Sequence, residues 1–225
     1  MRIILGSASP RRRQLLTEIF GSIEVRTKDF IEDFPPHLVA AQIALYLAEE
    51  KAKTFNGQLN ENELLLTSDT IVWLHDHVLN KPADRNEALL MLKKLSGRSH
   101  EVYTGVCIST TAKRKCFYTR SVVWFQKMKD ADLMEYIDQY KPFDKAGAYG
   151  AQECLPEGMN PLSEKEKAFL KKIGKQDLFE KSLAVKDHAK VPLIEKIEGS
   201  YFNVMGLPVA ELYDEMQKDF SELAL

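Results

Sequence analysis

Ile3-Ile4-Leu5-Gly6-Ser7-Ala8-Ser9-Pro10-Arg11-Arg12-Arg13-Gln14-Leu15-Leu16 is the stretch around which the rest of the chain arranges itself. Three apolar residues make a short buried strand, a turn of small residues follows, and a helix begins. Ser9 is a good N-cap, and Pro10 suits the first helical position, where its missing N–H is no loss. Leu15, Leu16, Ile19 and Phe20 recur at helical spacing and give that helix one apolar face. The turn collects free backbone N–H groups, the positive end of a helix, the hydroxyls of Ser7 and Ser9, and three guanidinium groups. Such a turn can hold phosphate. It lacks the Gly-x-x-x-x-Gly-Lys-Ser/Thr spacing of a Walker A loop, and an ordinary strand–helix turn with solvated arginines accounts for the same residues.

At 225 residues the chain can be one large domain or two modest lobes, with length for a real core. Its 44% hydrophobic and 28% charged residues are those of a soluble globular chain. A net charge of −2, from 31 basic and 33 acidic residues, argues against a general nucleic-acid binder. Any polyanion must then be met by a local cluster of positive charge. No run of about 18 apolar residues indicates a transmembrane helix, and the N-terminus enters a strand directly, with no secretory segment expected. Cys107, Cys116 and Cys154 are odd in number and lack metal-ligand spacing, so reduced thiols in a cytoplasmic protein are the expectation. The five histidines make no His-x-x-x-His pair.

Beyond the first helix, Ile23–Val25 reads as a strand and 28–36 as a Pro-bounded loop carrying Glu32 and Asp33, either surface acids or metal ligands. A helix is expected from about His37 to Phe55, with Val39, Ile43, Tyr46 and Leu47 on one side. Lys51 in it is either solvated or an inward phosphate ligand. Leu64–Leu66 and Ile71–Leu74 flank the polar Thr67-Ser68-Asp69-Thr70, as in a buried strand interrupted by a kink or bulge. An Asp there is costly unless paired, hydrogen-bonded or metal-bound, and a structural tie and a catalytic carboxylate are both consistent with it. After a turn through His75-Asp76-His77, Asp84 and Glu87 start a helix that ends near Leu95. Residues 100–108 and 117–125 read as neighbouring antiparallel strands, and Ala131–Tyr140 as a helix. The small residues of Asp144-Lys145-Ala146-Gly147-Ala148-Tyr149-Gly150-Ala151-Gln152 would let backbone approach a ligand closely. Ser163 and Glu166 form a capping box for a helix stopped by Gly174, and Leu178, Phe179 and Leu183 suggest a second short helix. Leu193–Ile197 is a strand, 199–208 a structured loop, and Val209–Phe220 a closing helix.

Seven motifs in order resemble those of the Maf family of nucleoside triphosphate pyrophosphatases: Gly6-Ser7-Ala8-Ser9-Pro10-Arg11-Arg12, Glu50-Lys51-Ala52, Ser68-Asp69-Thr70-Ile71-Val72, Lys81-Pro82, Leu95–His100 running into Tyr103–Val106, Asp144–Gln152, and Gly206-Leu207-Pro208. The resemblance implies an α/β fold: a long mixed twisted sheet flanked by helices, with two lobes around a central cleft. It implies a single domain over 1–225, with an inserted helical segment at 153–192 where the family normally has a handful of residues. It further implies hydrolysis of a nucleoside triphosphate to the monophosphate and pyrophosphate with a divalent cation, Mg²⁺ or Mn²⁺, by a homodimer that needs neither nucleic acid nor membrane.

Carried over residue by residue, the resemblance makes Asp69 the proton acceptor and places phosphate at Ser7, Arg11, Arg12, Lys51 and Lys81. Asp69 is also a candidate metal ligand, with Asp33 or Glu32 beside it; the family usually has Glu at the position of Asp33. Arg11, Thr70 and Gln152 match the group acting on dTTP and UTP rather than the one acting on N7-methyl-GTP. A Gln amide both donates and accepts, matching O4 and N3–H of uracil or thymine. A triphosphate brings roughly four negative charges, and its cleavage rests on positioning and charge neutralisation, which these cations supply. Two other readings stand beside this one: a nucleotide-binding regulator of septum formation, and a pyrophosphatase with another nucleotide preference. The inserted segment, at the rim of the expected pocket, is open to three readings, a lid, an extended dimer surface or an inert surface helical hairpin, and the inert one is the expectation because loop insertions are tolerated thermodynamically.

Overall fold

The structure, a computed structural model, describes residues 1–183 and 189–220. Its seven strands form one mixed sheet in the order β2-β1-β3-β5-β6-β7, with β4 folded back on β3. They are β1 (Arg2–Leu5), β2 (Glu24–Val25), β3 (Glu63–Leu74), β4 (His77–Leu79), β5 (Ser99–Ser109), β6 (Arg114–Phe125) and β7 (Ile194–Glu198). β1 pairs in parallel with both β2 and β3, whereas β4 on β3 and β7 on β6 are antiparallel. The helices are α1 (Pro10–Phe20), α2 (Ala41–Lys53), α3 (Arg85–Leu95), α4 (Asp130–Tyr140), α5 (Ala151–Cys154), α6 (Glu164–Lys172), α7 (Tyr201–Met205) and α8 (Val209–Asp219). This is the expected α/β class. No helix among the described residues is long and apolar enough to cross a membrane.

The chain divides into two compact units, Met1–Thr70 with Tyr103–Thr119 and Phe202–Leu225, and Ile71–Val102 with Arg120–Tyr201. In the first, β1 and β3 are apolar on both faces, as strands of a parallel sheet must be: Ile4, Leu5, Leu64, Leu65 and Leu66 are all fully buried. α1 starts as its sequence asks, with Ser9 accepting from the N–H of Arg12 and Pro10 in the first turn. α2 presents Ala44, Ala48 and Ala52, four residues apart, to Cys107 of β5 and to Gly105. A Cβ on Gly105 would lie 2.2 Å from the carbonyl oxygen of Ala44, so only glycine lets this strand and helix approach so closely.

Three expectations for this unit change. α2 begins at Ala41 rather than near His37, because Leu38 N–H bonds Pro35 in a turn and Ala40 takes φ 46°, outside helical space. Val39 is consequently exposed. β3 is not broken at Thr67–Thr70 but runs unbroken to Leu74, since Thr67, Ser68 and Asp69 are buried inside it rather than turned out. The loop at 199–208 contains α7. The cysteine reading is also corrected: Cys107 and Cys116 are joined as a disulfide, 4.1 Å apart at Cα, leaving Cys154 buried and free. The four-residue turn between β5 and β6 makes them antiparallel and brings together two cysteines whose spacing had suggested no partnership.

In the second unit, His75 and Asp76 both have positive φ and form the two-residue turn between β3 and β4. Asp84 caps α3 by accepting from the N–H of Glu87, as expected. The loop that ends in α5 is tied at three points: Gly147 N–H donates to the Asn80 carbonyl at 3.2 Å, Gly150 N–H to the Tyr136 hydroxyl at 3.0 Å, and Tyr149 pairs with buried His100 at 2.8 Å. The segment 153–192, expected as a surface helical hairpin, carries α6 and packs an apolar side inward. Glu166, Phe169, Leu170, Leu178, Phe179 and Leu183 are all buried, and the Phe179 ring meets Tyr201 edge-on at 5.8 Å. Only its stretch 184–188 lies outside the described residues.

His100 supplies a test of this packing. Burial among Phe125 and Tyr149 lowers its pKa from 6.5 to about 3, so the imidazole is neutral in the fold and protonates only after unfolding. The folded state then loses stability as pH falls from about 6.5 toward 3. By pH 5 the loss from this one group is about 2 kcal/mol. Urea titrations at pH 8 and pH 5 should show that difference between wild type and His100→Gln; equal pH slopes in the two proteins would refute it.

Candidate active site

Thr67 and Asp69 lie two apart on β3 and therefore share one face. Ala48 and Lys51, three apart, share one face of α2. The two elements meet in register along these pairs. Thr67 Oγ1 donates to the Ala48 carbonyl at 2.8 Å, and Lys51 Nζ forms an ion pair with Asp69 Oδ1. Asp69 is 6% exposed, so Lys51 is an inward ligand rather than one of the solvated lysines. Lys51 also bonds Glu32 Oε1 at 3.0 Å and lies 5.4 Å from the centre of the Phe30 ring. Burial raises the Asp69 pKa, against the pull of Lys51 and Arg12. Oδ2 of Asp69 has no protein donor among the described residues.

Arg12, on the first turn of α1, is held by three groups. Its Nε donates to the Gly206 carbonyl at 2.9 Å, one terminal nitrogen to Ser7 Oγ at 3.2 Å and the other to Thr70 Oγ1 at 3.0 Å. Thr104 Oγ1 donates to the Asn203 carbonyl at 3.0 Å, so in the 2.9 Å contact between the two threonines the proton comes from Thr70. The direction of donation is thus Arg12 to Thr70 to Thr104 to Asn203. Gly206 sits at φ 106°, where a side chain would be strained and its Cβ would crowd Thr70 Oγ1 at 3.3 Å. A guanidinium has five N–H groups; three are used here, which leaves one on each terminal nitrogen. Burial lowers the Arg12 pKa, with Asp69 opposing the shift. Ser7 Oγ accepts from Arg12 and from Ser9 N–H at 3.2 Å, which leaves its own proton to donate.

The remaining candidates divide. Glu32 shares Lys51 with Asp69, whereas exposed Asp33 accepts from the next backbone N–H, that of Phe34, at 2.9 Å. Arg11 is half-buried beside Arg12, and Arg13 is exposed. Lys81 and Gln152 belong to the second unit, where the Asn80–Gly147 bond links the stretches that carry them. Gln152 Nε2 donates to the carbonyl of Leu183 at 3.1 Å. A carbonyl only accepts, so this contact sets which end of the amide faces it. Thr104, Asn203 and the Gly206 carbonyl, which hold Arg12 in place, were not among the residues singled out. Backbone carbonyls leave no trace in side-chain pattern; the only signal was Gly206 ahead of Leu207-Pro208.

The donor set suits a hard divalent cation. Among the described residues no three or more His, Cys, Asp or Glu side chains cluster in a metal-like group. Mg²⁺ asks for less: one or two carboxylates, phosphate oxygens and water. Asp69, whose Oδ1 alone is taken by Lys51, with Glu32 across Lys51, fits that requirement, and Asp33 is not joined to it.

Residues 2–157 match the family described as Maf-like protein, a match that stops just inside the 153–192 segment. A dTTP/UTP pyrophosphatase of Flavobacterium johnsoniae is 39% identical over 95% of this chain and 92% of its own length. A dTTP/UTP pyrophosphatase of Parabacteroides distasonis is 40% identical over 96% and 95%. Among solved structures, the Ham1 protein of Staphylococcus aureus covers 75% of this chain and 90% of its own at 16% identity and a TM-score of 0.39, too slight a likeness to bear on the site. Matched over residues 2–157 and 39–40% identical to these relatives over nearly its whole length, the chain belongs to the Maf-like family.

Proposed function

We propose that this protein hydrolyses dTTP and UTP, and modified pyrimidine triphosphates of like shape, to the monophosphate and pyrophosphate, removing them from the cytoplasmic nucleotide pool. The observation that carries this reading is the buried Asp69–Lys51 pair in a chain whose relatives bear that name. Arg12, with two N–H groups still to give, and Ser7, with its hydroxyl proton, bind phosphate oxygens; Lys51 and Lys81 add charge, and Arg11 reinforces the same turn. A divalent cation held by Asp69 and Glu32 would neutralise phosphate charge when bound.

Asp69 aligns a water through Oδ2 and takes its proton as the water oxygen attacks the α-phosphorus. The bond from that phosphorus to the bridging oxygen breaks, and pyrophosphate leaves with the electron pair. A carboxylate made more basic by burial is suited to accept that proton. Thr70, whose hydroxyl is used by Arg12 and Thr104, contributes to selectivity by holding Arg12 rather than by touching the base.

Gln152 reads the base. With one Nε2 hydrogen given to Leu183, its Oε1 accepts from N3–H and its second Nε2 hydrogen donates to O4 of uracil or thymine. Cytosine reverses both groups, and turning the amide to suit it would set Oε1 against the Leu183 carbonyl.

Asp69→Asn retains an oxygen for Lys51 and should fold, while kcat falls by about 10²–10⁴-fold; a near wild-type kcat would remove Asp69 from this role. In a panel of triphosphates with Mg²⁺ or Mn²⁺, Gln152→Glu should reduce the preference for UTP over CTP and purine triphosphates at least about tenfold in kcat/KM. Unchanged selectivity would end the assignment of Gln152.

A further inference from the structure

Glu166 lies in the segment beyond the family match and is completely buried. As the third residue of α6 it completes the capping box with Ser163: its Oε2 accepts from Ser163 N–H and Oγ, both at 2.8 Å. A capping-box glutamate is ordinarily solvated. This one is covered because it serves a second helix. Its Oε1 accepts from Ser200 Oγ at 2.7 Å and its Oε2 from Tyr201 N–H at 3.2 Å, where α7 begins. Phe179, from the same segment, packs on the fully buried Tyr201 ring. Four donors offset the cost of burying the carboxylate.

The other end of α7 supports the arginine. Gly206 N–H bonds the Asn203 carbonyl and Leu207 N–H the Phe202 carbonyl, each at 3.0 Å, so the helix and its closing turn are hydrogen-bonded from end to end. Out of that closing turn come the Gly206 carbonyl that takes Arg12 Nε and the Asn203 carbonyl that ends the Thr70–Thr104 chain. A displacement of the first turn of α7 therefore moves the two carbonyls that aim Arg12. We infer that Glu166 is a positioning residue for Arg12, acting through α7, so that the added segment braces the phosphate-binding arginine. This rests on the reading of Arg12 as a phosphate ligand.

The test is a double-mutant cycle on the full chain with UTP, assayed well below each variant's unfolding midpoint. Glu166→Ala should lower kcat/KM about tenfold, mostly through KM, since a shift of about 1 Å in an aligning group costs one to two orders of magnitude. Glu166→Gln can keep every contact by turning its amide nitrogen to Ser200 Oγ, and should stay within about twofold of wild type. Arg12→Lys should lower kcat/KM on its own, and adding Glu166→Ala to it should cost no more than about a further twofold, because the group being positioned is gone. Losses that multiply in full, or a Glu166→Ala variant with wild-type kcat/KM, overturn the inference and leave the phosphate site standing. An Arg12→Lys variant with wild-type kcat/KM overturns the phosphate-site reading itself, and this inference with it. Should Glu166→Ala fail to fold, Ser200→Ala carries the same cycle with an expected loss of about threefold; it removes one hydroxyl and leaves α6 capped.

Discussion

The ion pair between Lys51 and Asp69 is the constraint on which the first unit depends. A carboxylate in the middle of a strand covered on both faces is tolerable only with a partner, and removing one member of such a pair costs about 3–5 kcal/mol because the other is left charged and dry. Lys51 can reach Asp69 only if α2 lies very close to the sheet. That explains the alanines along its inner face, the missing side chain at Gly105 and the Thr67 bond to Ala48, each of which brings helix and strand together. The same closeness buries Asp69 and raises its pKa, so one packing arrangement both holds the ion pair and makes this carboxylate more basic.

Arg12 is the second charge in this arrangement, and its hydrogen bonds hold it in one orientation. Three of its N–H groups are spent on Gly206, Ser7 and Thr70, which fixes the plane of the guanidinium and leaves two N–H groups unused by these partners. A lysine there could keep the charge but not the plane. Thr70 lies one residue beyond Asp69 on the opposite face of β3, so the strand hands its carboxylate to Lys51 and its next hydroxyl to Arg12.

Much of this was legible from local pattern. The strand–turn–helix opening, the Ser9 and Asp84 caps, the Ser163–Glu166 box and most strands follow from short-range rules, because caps and periodicities involve residues within one or two turns of each other. The misreading of β3 involves partners distant in sequence. The polar Thr67–Thr70 segment suggested a kink because its partners, Ala48, Lys51, Arg12 and Thr104, come from elsewhere in the chain. Cys107 and Cys116 pair only because a hairpin sets them opposite each other. The early boundary drawn for α2 assumed a regular start that Ala40 does not allow.

By itself the sequence determined the α/β class, the order of elements, the family, and which side chains are equipped to hold phosphate or move a proton, since each of these is a property of residue type and spacing. Tertiary structure decided what the residues are for. It chose Glu32 over Asp33 as the carboxylate beside Lys51, turned Thr70 toward Arg12, and made Glu166 a buried link to α7 instead of a solvated cap. Those choices depend on burial and on hydrogen-bond partners tens of residues away, which no local pattern records. For the Gly6–Arg13 turn with which the chain opens, the difference is concrete: three arginines of equal charge become one half-buried, one clamped and one exposed, because only Arg12 meets the carbonyl of Gly206.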